Sequence, residues 1–333
     1  MKLSIEFVPY ILDQRANEIA VFLEKNEEEK EEEKQKLSLA MLHEVIEVIT
    51  SYTTPGSEVT WLATMSFRKV KQLLGKDDPY ETYKLMDLRL AREILKTYEK
   101  NLKNNEVNPL ERLEKLLYLA TAANAINSIY AGTEGFARSL ASGVDNPVIR
   151  GFNPDRFASE VRGKQVAYVV NSLAELVFDT KVMSLLLEEF DVSDIIVYVK
   201  TEAYTNDATY NDLIEHVELP GQVDIMRMET DAAGVDRNLS PRQVLKSLMG
   251  ADIIISKGLM NYCGFTNLER KNGSGDKKDR KNGKNGRKHE KKSTPEKTIP
   301  VYAFYLVRSA PVARRLNAVH DTPLARRLEV ALP

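Results

Sequence analysis

The stretch from Lys164 to Asp207 constrains the fold more than any other part of this chain. It opens with KQVAYVV, a valine-rich apolar run with the pattern of a buried parallel strand. The polar turn Asn171-Ser172-Leu173-Ala174-Glu175 leads into LVFDTKVMSLLLEEF, whose apolar residues recur at helical spacing. A second short apolar run, DIIVYV, follows and ends in TEAYTNDATYND. Strand, turn, helix, strand, turn is a βαβ unit. Ligands of open α/β sheets bind outside the carboxyl ends of the strands, so the turns NSLAE and TNDA are where a site is expected.

The chain has 333 residues, long enough for two domains, and its 43% hydrophobic content supports real cores. Net charge is only −2, but between Arg270 and Lys297 there are twelve Lys/Arg against four Asp/Glu. That segment carries +8 and the remainder about −10: a basic insertion on an acidic body, with no nucleic-acid-binding domain indicated beyond it. Cys263 is the single cysteine, which excludes an intrachain disulfide and a cysteine metal cluster. No apolar leader and no run of about eighteen apolar residues is present, so a soluble, cytoplasmic protein without a membrane partner is expected.

The first half reads as helices. Ile5 to Leu23 carries an apolar stripe, the charge run EKNEEEKEEEKQK suits a solvated helical arm, and Leu37 to Ile49 is again amphipathic. Turns fall at Thr53-Thr54-Pro55-Gly56, with Ser57 as a helix cap, and at Asp78-Pro79. Asn108-Pro109 opens PLERLEKLLYLATAANAINSIYAG, a helix nearly all apolar toward its end and therefore packed against something large. Strands and helices alternate from Lys164 onward. Candidate strands are Gln222 to Met228, ADIIISKG and VYAFYLV, with a helix opened by Ser240-Pro241. The stretch from about 270 to 298 is low-complexity and expected to be disordered, and the tail PVARRLNAVHDTPLARRLEVALP reads as a short helix. The fold class is thus α/β: a helical bundle domain, 1–162, followed by a Rossmann-like doubly wound sheet domain, 163–333.

Taken in order, the polar turns resemble those of the damage-control phosphatases, a metal-dependent family also described as acidic-residue methyltransferase-like. DDPYETYK resembles the family's Asp-Pro-Tyr…Lys segment, and AANAIN lies where it has Ala-Gly-Asn-x-Ile-Asp. NSLAE takes the place of its Asp-Asn-x-Gly-Glu signature, and TNDAT that of its Asn-Asp-Ala-Thr turn. ADIIISKGLMNY and FYLVRSAPVA match its Lys-Gly-x-x-Asn-Tyr run and its closing Lys-Cys-x-Pro-Val-Ala strand. The resemblance implies a helical amino-terminal domain and a Rossmann-like domain that hydrolyses small phosphorylated metabolites with Mn²⁺ or Mg²⁺. It assigns the metal to Asn171, Ser172 and Asp207, of which only Asp207 keeps the family's residue. It places Glu175 and Lys257 as catalytic groups and Asn124, Lys257, Asn261 and Arg308 against substrate. An Asp-to-Asn exchange at 171 removes a full charge beside a hard cation, a loss on the order of several kcal/mol of ion attraction. The expectation is a weakly bound or lost metal: either a phosphatase with an eroded site, or an inactive member kept as a binding or structural scaffold.

The residues alone also allow blander roles. Asp207 can cap the helix after it, Glu175 can serve the first turn of its own helix, and Lys257 can be a strand-end lysine. His43, His216, His289 and His320 have no ligand spacing, and Cys263 has no base beside it in sequence. Glycine-rich dinucleotide and P-loop turns are absent from the strand ends, as is a nucleophile elbow.

Overall fold

The structure is a computed structural model that describes residues 1–24, 30–102, 108–269 and 298–331. Residues 25–29 of the charge run and the basic segment at 270–297 lie outside the described residues, while the rest of the run opens a helix at Glu31.

Among the described residues seven α-helices precede the sheet: α1 (Phe7–Glu24), α2 (Glu31–Tyr52), α3 (Val59–Leu74), α4 (Glu81–Leu102), α5 (Pro109–Ala122), α6 (Thr133–Ala141) and α7 (Pro154–Val161). Then come β1 (Gln165–Val169), α8 (Leu173–Glu189), β2 (Asp194–Val199), α9 (Tyr210–His216), β3 (Val223–Arg227), α10 (Arg242–Leu248), β4 (Ile253–Lys257) and α11 (Leu259–Leu268). The described chain closes with β5 (Ile299–Tyr305), α12 (Ala310–Arg315) and β6 (Leu324–Val330).

Local chemistry sets several of these boundaries. Asn108 accepts a hydrogen bond from the Glu111 backbone at 2.9 Å, and Pro109 supplies the first helical residue of α5. The apolar run expected to continue as helix to Gly132 instead leaves the α-helix at Ala122 and tightens into a 3₁₀ turn, Ala123–Ala125. That turn carries Asn124.

The sheet order is β3-β2-β1-β4-β5-β6, with β1 to β5 parallel and β6 antiparallel to β5. The chain winds outward from β1 to β3 and then returns to the other side of β1 as β4. The strand order therefore reverses between β1 and β4, where such sheets open a crevice at their carboxyl ends. Every residue of β4 is buried, as two covered faces require. One face packs Val166, Tyr168, Ile255 and Phe304 against α4, α5, α7 and α8. The other packs Ala167, Ile254, Val301 and Tyr305 against α1, α2, α3 and α11. Helices from the first half therefore complete both cores. Residues 162 and 163 lie in the loop between α7 and β1, where helices give way to alternating strands and helices. An ion pair also joins the halves: Lys84, buried on α4 and held by Asp78 at 2.6 Å, reaches Asp212 of α9 at 2.8 Å.

The tail differs from expectation. Only its first part is a short helix, α12, while Leu324–Val330 adds a seven-residue edge strand, β6, to the sheet. One of its arginines is neutralised: Arg327 Nε lies 2.9 Å from Glu160 and Nη1 lies 2.6 Å from Glu329. Val330 is flanked by Ile299, its ladder partner, and by Glu269, its bridge partner.

Candidate active site at the sheet switch point

A cavity of about 610 Å³ opens at the carboxyl ends of the strands. Asn171 follows β1, Thr205, Asn206 and Asp207 follow β2, Leu259 and Met260 follow β4, and Arg308 follows β5. The helical half closes the other side with Tyr10, Asp13 and Gln14 of α1 and with Tyr80, Asn124, Asn127 and Tyr130. The volume suits a small molecule. Of the residues singled out in the sequence, Asn124, Asn171, Asp207 and Arg308 line it; Ser172, Glu175, Lys257 and Asn261 do not.

Ser172 is drawn into the start of α8. Its hydroxyl accepts from the Glu175 backbone at 3.3 Å while the Glu175 side chain reaches back to the Ser172 backbone, a reciprocal capping box. Asp207 is brought beside β1 by an antiparallel bridge to Ser172 and by the Ala208 backbone bonding to the Asn171 carbonyl at 2.8 Å. Thr209, not Asp207, caps α9. The Asp207 carboxylate accepts from the ammonium of Lys200 at the end of β2, which also reaches the Ala233 carbonyl at 3.2 Å. Burial raises the Asp207 carboxyl above its ordinary range, and Lys200 offsets part of that rise.

Glu175 and Lys257 stand behind the cavity wall, both fully buried. Lys257 Nζ donates to Asp179 at 2.8 Å and to the Ala120 carbonyl at 2.9 Å, and lies 3.3 Å from Glu175. Tyr168 donates to Asp179 at 2.6 Å. This network ties β1, β4, α5 and α8 together, and its lysine has no free direction toward a ligand. Asn261 is likewise a structural tie: its amide donates to the Lys257 and Val170 carbonyls and accepts from the Val235 backbone. Burial pushes the Cys263 thiol up to about 12, so it is not a poised nucleophile.

Arg308 presents a guanidinium to the cavity, steadied by the Ala125 carbonyl at 3.3 Å and stacked over Phe136 at 4.7 Å. Tyr10, Tyr80, Tyr130 and Tyr204 form an aromatic wall that the sequence reading missed. Two of them lie inside motifs already noted: Tyr80 in DDPYETYK and Tyr204 three residues before Asp207. Tyr80 turns its hydroxyl away, donating to buried Glu18 at 2.8 Å, which in turn holds Arg15 at 2.6 Å. The cavity thus offers one guanidinium, several amides, the Asp13 carboxylate, the lysine-paired Asp207 carboxylate and phenol rings. It can hold one anionic group and a polar or ring-bearing body.

The donor set does not make a cage for a hard divalent ion. Such ions prefer several charged oxygens. Asn171 brings a neutral amide, Ser172 has turned into the helix cap, and Asp207 already holds an ammonium. Among the described residues, no group of three His, Cys, Asp or Glu is placed to hold a metal, and no helix is long and apolar enough to cross a membrane.

A doubly wound α/β sheet with a small-ligand cavity at its switch point, closed by a helical amino-terminal half, defines the class of this protein. The chain belongs to the damage-control phosphatase ARMT1-like domain family, which matches residues 6–322. An uncharacterized protein of Methanocaldococcus jannaschii is 24% identical over 234 residues, 69% of this chain and 75% of that one. Damage-control phosphatase PH1575 of Pyrococcus horikoshii is 25% identical over 202 residues, 60% of this chain and 67% of that one. The crystal structure of that P. horikoshii protein, described as a DUF89 family protein, superposes with a TM-score of 0.75 at 16% identity. The match covers 98% of this chain and 99% of that one, so the two share one fold.

Proposed function

We propose that the cavity binds a small phosphorylated metabolite through Arg308, and that the metal site used for hydrolysis in this generally metal-dependent family is eroded here, leaving turnover slow or absent. Family membership supports the phosphatase lineage and the ligand class. The observation that carries the erosion is the capture of Ser172 as a helix cap, which leaves Asn171 and Asp207 as the cavity-lining members of the implied metal set. The retained Asp207 favours a second reading, a working metal-dependent phosphatase of the family type.

One experiment separates them: calorimetric titration with Mn²⁺, with and without inorganic phosphate, alongside hydrolysis of an aryl phosphate. Erosion predicts phosphate binding that Arg308→Ala removes, little Mn²⁺ binding, and a gain of both Mn²⁺ binding and hydrolysis in the Asn171→Asp, Ser172→Asn double variant. Tight Mn²⁺ binding with turnover, both lost in Asp207→Ala, overturns erosion and establishes the second reading.

A further inference from the structure

The charges lining the cavity leave one carboxylate unmatched. Arg308 is the lining cation, and the Asp207 carboxylate is met by the Lys200 ammonium. The remaining charged lining residue is Asp13 of α1, which is exposed to solvent. Among the described residues, no ion pair or hydrogen bond engages its carboxylate. Arg15, two residues further on, is turned away: its guanidinium pairs with Glu18 at 2.6 Å and lies over the Phe67 ring at 5.0 Å.

Asp13 is also bordered by phenol rings. Tyr10 precedes it by three residues on α1, so the two share a face of that helix, and the Tyr10 hydroxyl accepts from Gln14 Nε2 at 3.0 Å. Tyr130 lines the same cavity from the segment between the 3₁₀ turn and α6. Burial holds the Tyr130 phenol well above its ordinary range, and Glu18, Tyr10 and Asp13 add to the rise, which puts Asp13 and both rings in one neighbourhood. Burial likewise lifts the Tyr10 phenol to about 12, and Arg308 is among the cations that hold that rise back. Tyr10 thus neighbours both the guanidinium and the Asp13 corner. A free carboxylate beside aromatic rings attracts a cation, the carboxylate as an ion-pair partner and the rings through their negative faces. With Arg308 in the same cavity, the complementary ligand carries both signs of charge.

We propose that Asp13, with Tyr10 and Tyr130 beside it, is an ammonium-binding subsite, and that the cavity takes a phosphate monoester whose organic body ends in a primary amine, phosphate at Arg308 and ammonium at Asp13. The phosphate half rests on the proposed binding of a phosphorylated metabolite; the ammonium half does not.

The test is calorimetry with aminoalkyl phosphates of two, four and six carbons, each against the alkyl phosphate of equal length, and with inorganic phosphate. At one length or more the amine is expected to bind about tenfold tighter than its alkyl counterpart, the order of an exposed ion pair and a ring contact together. Added salt narrows that ratio. Asp13→Asn brings it to about one and keeps inorganic phosphate binding. Tyr130→Leu lowers it and Tyr130→Phe preserves it. A second readout needs no phosphate: in protein labelled with ring-¹³C tyrosine, n-butylammonium shifts the Tyr10 and Tyr130 signals, and fails to do so in Asp13→Asn. A ratio of one at every length, with phosphate bound, overturns the subsite. A ratio or shifts that survive Asp13→Asn overturn the role of Asp13, and a ratio unmoved by Tyr130→Leu overturns that of the ring. If none of the phosphates binds, the proposed function falls and the tyrosine signals decide the subsite: it stands on shifts that need Asp13 and falls without them.

Discussion

Replacing Lys257 by Met tests whether this lysine is an internal strut or a ligand contact. Lys257 is fully buried and its ammonium lies 2.8 Å from Asp179 and 3.3 Å from Glu175, which are fully buried too. Methionine fills similar space but leaves two carboxylates in the interior with no cation. Breaking a buried pair this way costs about 3–5 kcal/mol, because the abandoned charge keeps its desolvation penalty. Urea unfolding followed by circular dichroism measures the loss. Adding Asp179→Asn removes one stranded charge, so the double variant is expected to be more stable than the single one. The pH dependence follows from Asp179, whose carboxyl is raised to about 6 by burial despite the neighbouring ammonium. A folded value above the ordinary 3.8 means the folded state holds the proton more tightly, so this group lowers stability as pH rises from about 4 to 6. Without Lys257 the folded value moves higher still, and the penalty is expected to be smaller at pH 5 than at pH 8. A loss under about 1 kcal/mol, or no recovery on adding Asp179→Asn, would refute the strut. Lost phosphate affinity in a variant of unchanged stability would return Lys257 to the ligand.

Two further predictions concern the same neighbourhood. Gly258 has φ +86°, and a Cβ there would strike Asn171, so Gly258→Ala is expected to cost about 1–3 kcal/mol in thermal unfolding and to weaken phosphate binding by displacing that amide. Asp87 of α4 accepts from the Ser128 backbone at 2.7 Å, and burial raises its carboxyl to about 6. Its folded value also exceeds the ordinary 3.8, so it removes on the order of 3 kcal/mol as pH rises from about 4 through 6. Asp87→Asn should therefore flatten the fall in stability over that window, measured as the difference from the native protein in urea unfolding at pH 4.5, 5.5 and 7.

The sheet was legible because its strands are unlike anything else in the chain. β1, β2, β4 and β5 are short apolar runs bounded by polar turns, and burial on both faces demands that composition. β6 was not, because LARRLEV carries three charged residues that an edge strand can pair or leave in solvent. The place of the site followed from the same strands, which is why Asn171, Asp207, Asn124 and Arg308 all reach one cavity. The direction of a side chain at a strand end is another matter. Nothing in SKG or NSLAE says that Lys257 and Glu175 turn toward each other beneath the wall; that depends on Asp179, a turn further along α8, and on the Ala120 carbonyl of α5. The tyrosine wall was invisible for the same reason, being assembled from four separate segments.

The junction beside Val330 has a consequence for how such a chain can change. Glu269 and Ile299 both neighbour that one residue, so three separate parts of the sequence meet at one point of the sheet. That point is the amino end of β5, the opposite pole of the sheet from the cavity. None of the three lines the cavity, and the length of β5 separates them from Arg308 at its far end, so their side chains can change without touching the groups a ligand would meet. The molecule has one end held fixed by its chemistry and another open to revision.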